Sequence, residues 1–290
     1  MSEFIVPIIT PFGDDNSIDL KKLRAHANFL FSKGVNSLLL AGTTGLGPSL
    51  SVKERLEILK EFSDVPERVI LQVASLDLEE SKTLSRKAKE FKIKAIAALP
   101  PYYYPRMPDE WYIKYYTEIS SIYPTIAYNF PLTTGYNISP DIVKAVNKNN
   151  GNIIGIKETL PDLNHMLNFK WEFSKSFKVY SGPDTLILPA IRSGLDGAIA
   201  GTGNYAPNTV TSIMKDDFEL AIKSQEFLSK LAGLSQKYGQ WSANYNMVRY
   251  LLKYDLGKPR LPIYPISGEK ESLLKKELEM LMNEYKRDEY

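Results

Sequence analysis

The sequence predicts an α/β protein built as a (β/α)8 barrel, a TIM barrel, with a helical C-terminal extension. Short apolar runs rich in Val and Ile alternate with longer amphipathic stretches about eight times. The strand signals then stop after Asp217, and a chain of 290 residues suits one large barrel. Parallel strands joined by helices, in that number and within about 220 residues, fit a closed barrel better than an open doubly wound sheet, although periodicity alone does not show closure. The expected division is a catalytic barrel over residues 1–217 and an extension packed on it over residues 218–290.

Residues 4–10 read as the first strand and residues 19–33 as the first amphipathic helix. Further strands are predicted at 35–41, 68–74, 93–99, 125–130, 153–158, 177–181 and 197–201, each followed by a helical pattern. Some helix starts are chemically marked. Ser51 and Glu54 can cap a first turn reciprocally, and Ser139-Pro140-Asp141 supplies a hydroxyl followed by proline at the first helical position. The extension reads as helices at 219–238, 246–254 and 268–290, with Pro259, Pro262 and Pro265 marking an irregular crossing between the second and third.

Composition excludes several chemistries. Hydrophobic residues make up 43% and charged residues 24%, as in an ordinary globular protein. With 36 basic against 34 acidic side chains the formal charge is +2, too close to neutral for the field that nucleic-acid binding requires. No apolar run is long enough to span a bilayer, and the start Met1-Ser2-Glu3-Phe4-Ile5 lacks the pattern of a signal peptide, so a cytoplasmic location is expected. The absence of cysteine removes disulfides, thiolate metal sites and thiol nucleophiles. The only histidines, His26 and His165, lie far apart in helix-like segments, which makes an imidazole metal cluster or a histidine triad hard to assemble. Chemistry without metal or cofactor, carried by Lys, Tyr, Asp, Glu, Ser or Thr, is therefore expected.

In a barrel, reactive groups sit at the C-terminal ends of the strands. Four stretches there stand out: Gly42-Thr43-Thr44-Gly45, Pro101 through Arg106, Tyr128-Asn129-Phe130-Pro131 and Gly155-Ile156-Lys157-Glu158-Thr159. A lysine near the end of a strand covered by helices places its amine in poorly solvated space, which favours the neutral nucleophile and imine formation with a ketone. Alternation predicts Lys157 and Gly155 on the inward face, the glycine clearing space, with Ile154 and Ile156 toward the helices. A strand-end lysine can equally snorkel to solvent or pair with a carboxylate. Tyr128 shares a face with Ile126 and could shuttle protons there, or simply belong to the core. Thr43 and Thr44, beside glycine-flanked NH groups, suit a carboxylate; the competing reading is a turn that needs glycine. The loop lacks the Gly-Lys-Ser/Thr ending of a nucleotide-binding loop. Tyr102, Tyr103 and Tyr104 with Arg106, set between prolines, read as a stiff loop for a site, an oligomer contact or packing. Gly201-Thr202-Gly203-Asn204-Tyr205 could line a pocket without supplying a reactive group.

Taken together, these stretches resemble the dihydrodipicolinate synthase and N-acetylneuraminate lyase superfamily over nearly the whole chain. The resemblance implies that Lys157 forms a Schiff base with pyruvate, that Tyr128 is the proton shuttle, and that Thr43 and Thr44 hold the pyruvate carboxylate. It also implies a homotetramer in which Tyr103 reaches a neighbouring subunit's site. The substrate-binding set expected with these residues adds Pro7, Arg106, Asn129, Phe130, Glu158, Thr159, Gly182, Asp184 and Gly201.

The details look most like archaeal-type 2-keto-3-deoxygluconate (KDG/KDPG) aldolases, which release pyruvate and glyceraldehyde in carbohydrate breakdown of the Entner–Doudoroff kind. The run from Gly42 to Leu50, the Pro101 to Arg106 loop and the run from Tyr254 to Arg260 carry that likeness. Synthases and neuraminate lyases usually have glutamate where Leu46 stands, and synthases an arginine where this chain has Leu132-Thr133-Thr134. Relatives that accept the 6-phosphorylated sugar acid tend to carry arginines near the phosphate. Arg106 is present here, but Gln236 stands where a second arginine is expected, so unphosphorylated substrate should be preferred. Another lyase or synthase of the superfamily is the nearest alternative, and a non-catalytic keto-acid binding protein a more distant one.

Overall fold

The computed structural model describes residues 2–287. Eight strands, β1 (Glu3–Pro7), β2 (Ser37–Leu40), β3 (Val69–Gln72), β4 (Ala95–Ala98), β5 (Thr125–Asn129), β6 (Ile153–Glu158), β7 (Lys178–Ser181) and β8 (Gly197–Ile199), pair in sequence order. All pairings are parallel and β8 closes onto β1, so the open-sheet alternative is excluded. Around the barrel and over its mouth run α1 (Leu20–Ser32), α2 (Val52–Glu61), α3 (Leu78–Glu90), α4 (Asp109–Ser120), α5 (Pro131–Thr134), α6 (Pro140–Lys148), α7 (Leu163–Glu172), α8 (Ile187–Arg192) and α9 (Pro207–Ile213). The extension is α10 (Phe218–Lys237), α11 (Gln240–Leu252) and α12 (Gly268–Arg287). The predicted last helix runs on to residue 290, and residues 288–290 lie outside the described residues, as does Met1. Among the described residues no helix is long and apolar enough to cross a membrane.

Most strands are shorter than the apolar runs that predict them. Thr10, Ala74 and Leu99 continue those runs and are buried, but they belong to loops folded over the barrel mouth and not to the ladder. The marked helix starts behave as their chemistry dictates. Ser51 and Glu54 form a complete capping box on α2, and the Ser139 hydroxyl caps α6 ahead of Pro140. The second extension helix starts six residues before its predicted start at 246. Gly239, with φ of 82°, breaks the chain after α10, and α11 begins at once without a side-chain cap, so no Ser, Thr or Asp marks the true start.

Two apolar layers fill the fold. Ile5, Leu39, Ile70, Ile126, Tyr180 and Ile199 point into the barrel, while a larger layer packs the strands against the helices. Ala74, Leu99 and Tyr128 cap the interior at the C-terminal mouth. The predicted alternation on β6 needs one correction: Ile154 packs inside the barrel and not against the helices. Ile153 pairs with Thr125 but Gly155 pairs with Ile126, so Ile154 is an extra residue in the ladder, and the bulge flips its side chain inward. Beyond the bulge Ile156 faces the helices.

The extension is fastened to the mouth by hydrogen bonds at its ends. Gln225 of α10 accepts from Leu188 N at 2.8 Å and donates to the Asp184 carbonyl at 2.8 Å, and Tyr245 of α11 donates to the Thr10 carbonyl at 2.7 Å. Asn204, after β8, accepts from Ile9 N and donates to the carbonyls of Pro7 and Gly201. His26 of α1 bridges this knot to the chain after α11, with Nε2 3.2 Å from Asn204 Oδ1 and Nδ1 2.5 Å from the Tyr254 hydroxyl. Because Asn204 Oδ1 only accepts, Nε2 carries the proton and Nδ1 accepts from Tyr254.

Burial holds the His26 imidazole down at about 4, against 6.5 when solvated. The unfolded chain therefore binds this proton more readily, and the stability tied to neutral His26 is full above pH 6.5 and is lost as pH falls toward 4. Relative to His26→Gln, wild type should lose about 2 kcal/mol of stability between pH 7 and pH 5. Urea unfolding of both proteins at the two pH values checks this; parallel changes would contradict the assignment.

Candidate active site

A cleft of about 700 Å³ opens at the C-terminal mouth of the barrel. Its floor carries Lys157, only 5% exposed, at the inward end of β6. In the ladder Lys157 lies level with Tyr128, so the two side chains share the inward face. The Lys157 Nζ stands 4.0 Å from the centre of the Tyr128 ring. Phe130 stacks near-parallel on that ring at 6.0 Å, and the Tyr128 hydroxyl lies 3.1 Å from Thr43 Oγ1. An amine, a phenol and a threonine hydroxyl thus meet in one poorly solvated corner.

The loop after β2 supplies Thr43 and Thr44. Its glycines serve a purpose other than the flexibility the sequence suggests. The left-handed positions are Ala41, with φ of 51°, and Leu46, with φ of 56°, whereas Gly47 permits close packing: a Cβ there would lie 1.8 Å from the Ala41 carbonyl oxygen. Thr10 ties the loop to the segment that follows β1 by donating to the Gly45 carbonyl at 2.6 Å. Among the described residues, neither the Thr43 nor the Thr44 N–H finds an acceptor. Two N–H groups without an acceptor beside two hydroxyls are donors of the kind an anionic oxygen pair can use.

Opposite stand the ends of β7 and β8. Asp184 is half-buried, and its Oδ1 accepts from Thr202 N at 3.2 Å and Thr202 Oγ1 at 2.5 Å. Withdrawal from water pushes its carboxyl above the usual range, while the Thr202 bonds and the Lys157 charge oppose that shift. Gly201 faces Thr44, and Gly182 lets β7 approach β6, with its N–H donating to the Glu158 carbonyl at 2.7 Å.

Pro7, Thr43, Thr44, Tyr128, Phe130, Lys157, Thr159, Gly182, Asp184 and Gly201 therefore share one cleft. Asn129 and Glu158 do not line it. They point outward from the same strand ends and bind each other, Asn129 Nδ2 donating to Glu158 Oε2 at 2.7 Å. His165 Nδ1 meets the same carboxylate oxygen at 2.5 Å, and Leu160 N donates to the other at 2.7 Å. Glu158 is fully buried, and its hydrogen bond raises the pKa of the His165 imidazole. Tyr103, 72% exposed, and Arg106 stand on the outer loop and do not reach the cleft of their own chain. Gly155 makes room, but not for Lys157; a Cβ there would lie 2.5 Å from the carbonyl oxygen of Lys178 on β7.

Sequence reasoning missed the far wall. Ser235, Gln240, Trp241 and Asn244 join Gln236 in lining the cleft from α10 and α11. The available signal was small and polar residues, Ala232, Ser235 and Gln236, on one face of a helix whose other positions include Leu228, Leu231 and Leu234. Among the described residues lining the cleft, Lys157 is the one cation. No group of described His, Asp or Glu residues could hold a metal ion.

Residues 1–281 match the dihydrodipicolinate synthetase family. The chain is 39% identical over 291 residues to the 2-dehydro-3-deoxy-phosphogluconate/2-dehydro-3-deoxy-6-phosphogalactonate aldolase of Sulfurisphaera tokodaii, covering 98% of this chain and 99% of that one. It is 33% identical over 279 residues to the 2-dehydro-3-deoxy-D-gluconate/2-dehydro-3-deoxy-phosphogluconate aldolase of Thermoproteus tenax, covering 94% and 89%. The solved complex of the Sulfolobus solfataricus 2-keto-3-deoxygluconate aldolase with D-KDPG superposes with a TM-score of 0.93 at 38% identity, over 99% of this chain and 98% of that one.

Removing the charge from Glu158 strips a buried pair of one partner. Glu158→Gln is expected to cost about 3 kcal/mol of stability at pH 6, where raised His165 is protonated. As pH rises through the folded pKa of His165 that difference should shrink, because the ion pair is then lost in wild type as well. Paired denaturation curves at pH 6 and pH 9 measure both effects.

Proposed function

The chain belongs to the dihydrodipicolinate synthetase family and is a pyruvate-dependent aldolase, a carbon–carbon lyase; from that premise we propose that it cleaves 2-keto-3-deoxygluconate to pyruvate and glyceraldehyde through a Schiff base on Lys157. The observation that carries the reading is the corner where Lys157 Nζ lies 4.0 Å from the Tyr128 ring and the Tyr128 hydroxyl bonds Thr43 at 3.1 Å.

The Lys157 amine attacks the C2 ketone of the substrate while its C1 carboxylate rests on Thr43 and Thr44. Tyr128 protonates the departing C2 oxygen, water leaves, and a protonated imine remains. Tyr128 then takes the C4 hydroxyl proton as the C3–C4 bond breaks. The bonding pair moves onto C3 to give an enamine, and C4 departs as the aldehyde. Protonation of C3 and hydrolysis of the imine return the amine and release pyruvate. Burial keeps most water from Lys157, and Thr43 fixes the direction in which the phenol points.

The wall from α10 and α11 faces the distal end of a six-carbon substrate, and it offers amides, hydroxyls and an indole. Among the described residues that line the cleft, a 6-phosphate dianion would meet no cation besides Lys157, which is committed to the imine, and Gln236 is neutral. Unphosphorylated substrate is preferred on this reading, although the names of the relatives carry phosphorylated ones as well. The same reading takes the protein as a cytoplasmic homotetramer, with Tyr103 reaching a neighbour's site.

Incubation with pyruvate and borohydride should add one reduced pyruvyl group to wild type and none to Lys157→Ala, read by intact mass. Absence of an adduct on wild type would remove the Schiff-base reading. With the two sugar acids, kcat/KM should be higher for the unphosphorylated one, and Gln236→Arg should narrow the gap by about tenfold. An equal or higher value for the phosphorylated substrate in wild type would defeat the preference.

A further inference from the structure

Arg55 is the one arginine of this fold buried almost completely while bonding only main-chain oxygens among the described residues. It follows the capping box of α2 and is 3% exposed. Its Nη2 donates to the Gly47 carbonyl at 2.8 Å, Nη1 to the Ala74 carbonyl at 2.8 Å and Nε to the Leu50 carbonyl at 3.3 Å. Each acceptor sits at the barrel mouth. Gly47 and Leu50 frame the loop that begins with Thr43 and Thr44, and Ala74 belongs to the apolar layer with Tyr128.

A buried guanidinium normally meets a carboxylate, because burying an unpaired charge is costly. No described ion pair includes Arg55. The carboxylate that bears on it electrostatically is Glu80, an exposed residue whose own bond is to the Ser75 hydroxyl. Positive charge is thus left in a region of low dielectric, held on carbonyls of Gly47 and Leu50 in the loop that also carries Thr43 and Thr44. The rigid fork also does what a single ammonium cannot, holding carbonyls from two different strand ends in one geometry.

We propose that Arg55 is the positioning residue of the substrate-carboxylate receptor, fixing the 42–50 loop against the end of β3 and supplying a buried positive charge for the anion that the loop receives. The inference rests on the Schiff-base reading above and deepens it, since it concerns how the keto acid's charged end is recognised.

Borohydride trapping tests it with two ketones, pyruvate and methyl pyruvate, the ester that keeps the ketone and lacks the charge. Wild type should reach half-saturation at a concentration of pyruvate about a hundredfold below that of the ester. Arg55→Lys and Arg55→Gln should raise the pyruvate value about tenfold, leave the ester value nearly unchanged and still place the adduct on Lys157. A residue with only a structural role would weaken both ketones together, and that result, or an unchanged pyruvate value in a folded variant, overturns the proposal. If neither variant folds, wild type decides: preference for pyruvate over the ester supports it, and equal trapping overturns it. Absence of any adduct on wild type is a separate result, which removes the Schiff-base reading itself.

Discussion

The site depends on one extra residue in one strand. Without the bulge at Ile154, β6 would keep the register set by Ile153 opposite Thr125, and Lys157 would fall level with Asn129 on the outward face. Because side chains alternate strictly along a strand, that slip would carry the amine into the helix layer and leave Ile156 beside Tyr128. The bulge restores the match of Tyr128 with Lys157 and of Asn129 with Glu158. Gly155 makes it possible, since a side chain there would collide with the Lys178 backbone on the next strand.

Barrel closure turns this local device into a site. Strand ends that are distant in sequence arrive on one rim, so the Thr43–Thr44 loop of β2, Tyr128 of β5, Lys157 of β6 and Asp184 after β7 face a common cleft. The extension then finishes it. Helices α10 and α11 bind the rim through Gln225 and Tyr245 and present Ser235, Gln236 and Asn244 across from the lysine. The proposed chemistry at the floor and the proposed discrimination at the wall therefore belong to different parts of the chain.

Strand number, order and the inward lysine were legible because period-two patterning and Val/Ile runs report directly on burial. The bulge was not, since Ile154 and Ile156 look alike in a pattern and only the neighbour's register distinguishes them. The roles of Asn129 and Glu158 were hidden for a related reason. Their places beside Tyr128 and Lys157 suggest a share in the cleft, whereas alternation sends adjacent residues to opposite faces. The wall from α11 was illegible because its start is set by a backbone conformation at Gly239 and not by a capping side chain.

The two doublets, Tyr128-Asn129 and Lys157-Glu158, explain why a polar network sits behind a reactive one. Each pair spans the sheet, one side chain entering the cleft and the other the helix layer. A lysine and a tyrosine aimed into a cleft have few neighbours of their own to hold them, for neighbours would occupy the space the substrate needs. Their strand ends must be held from the other side. Asn129 does this through the Glu158 carboxylate, the Asn137 side chain and Ile138 N, and Glu158 adds His165 and Leu160 N. A bond made outside the barrel fixes the direction of a side chain inside it, because a strand end cannot rotate one without the other. The outward carboxylate is thus fully buried and fully bonded, and the inward amine is left free to react.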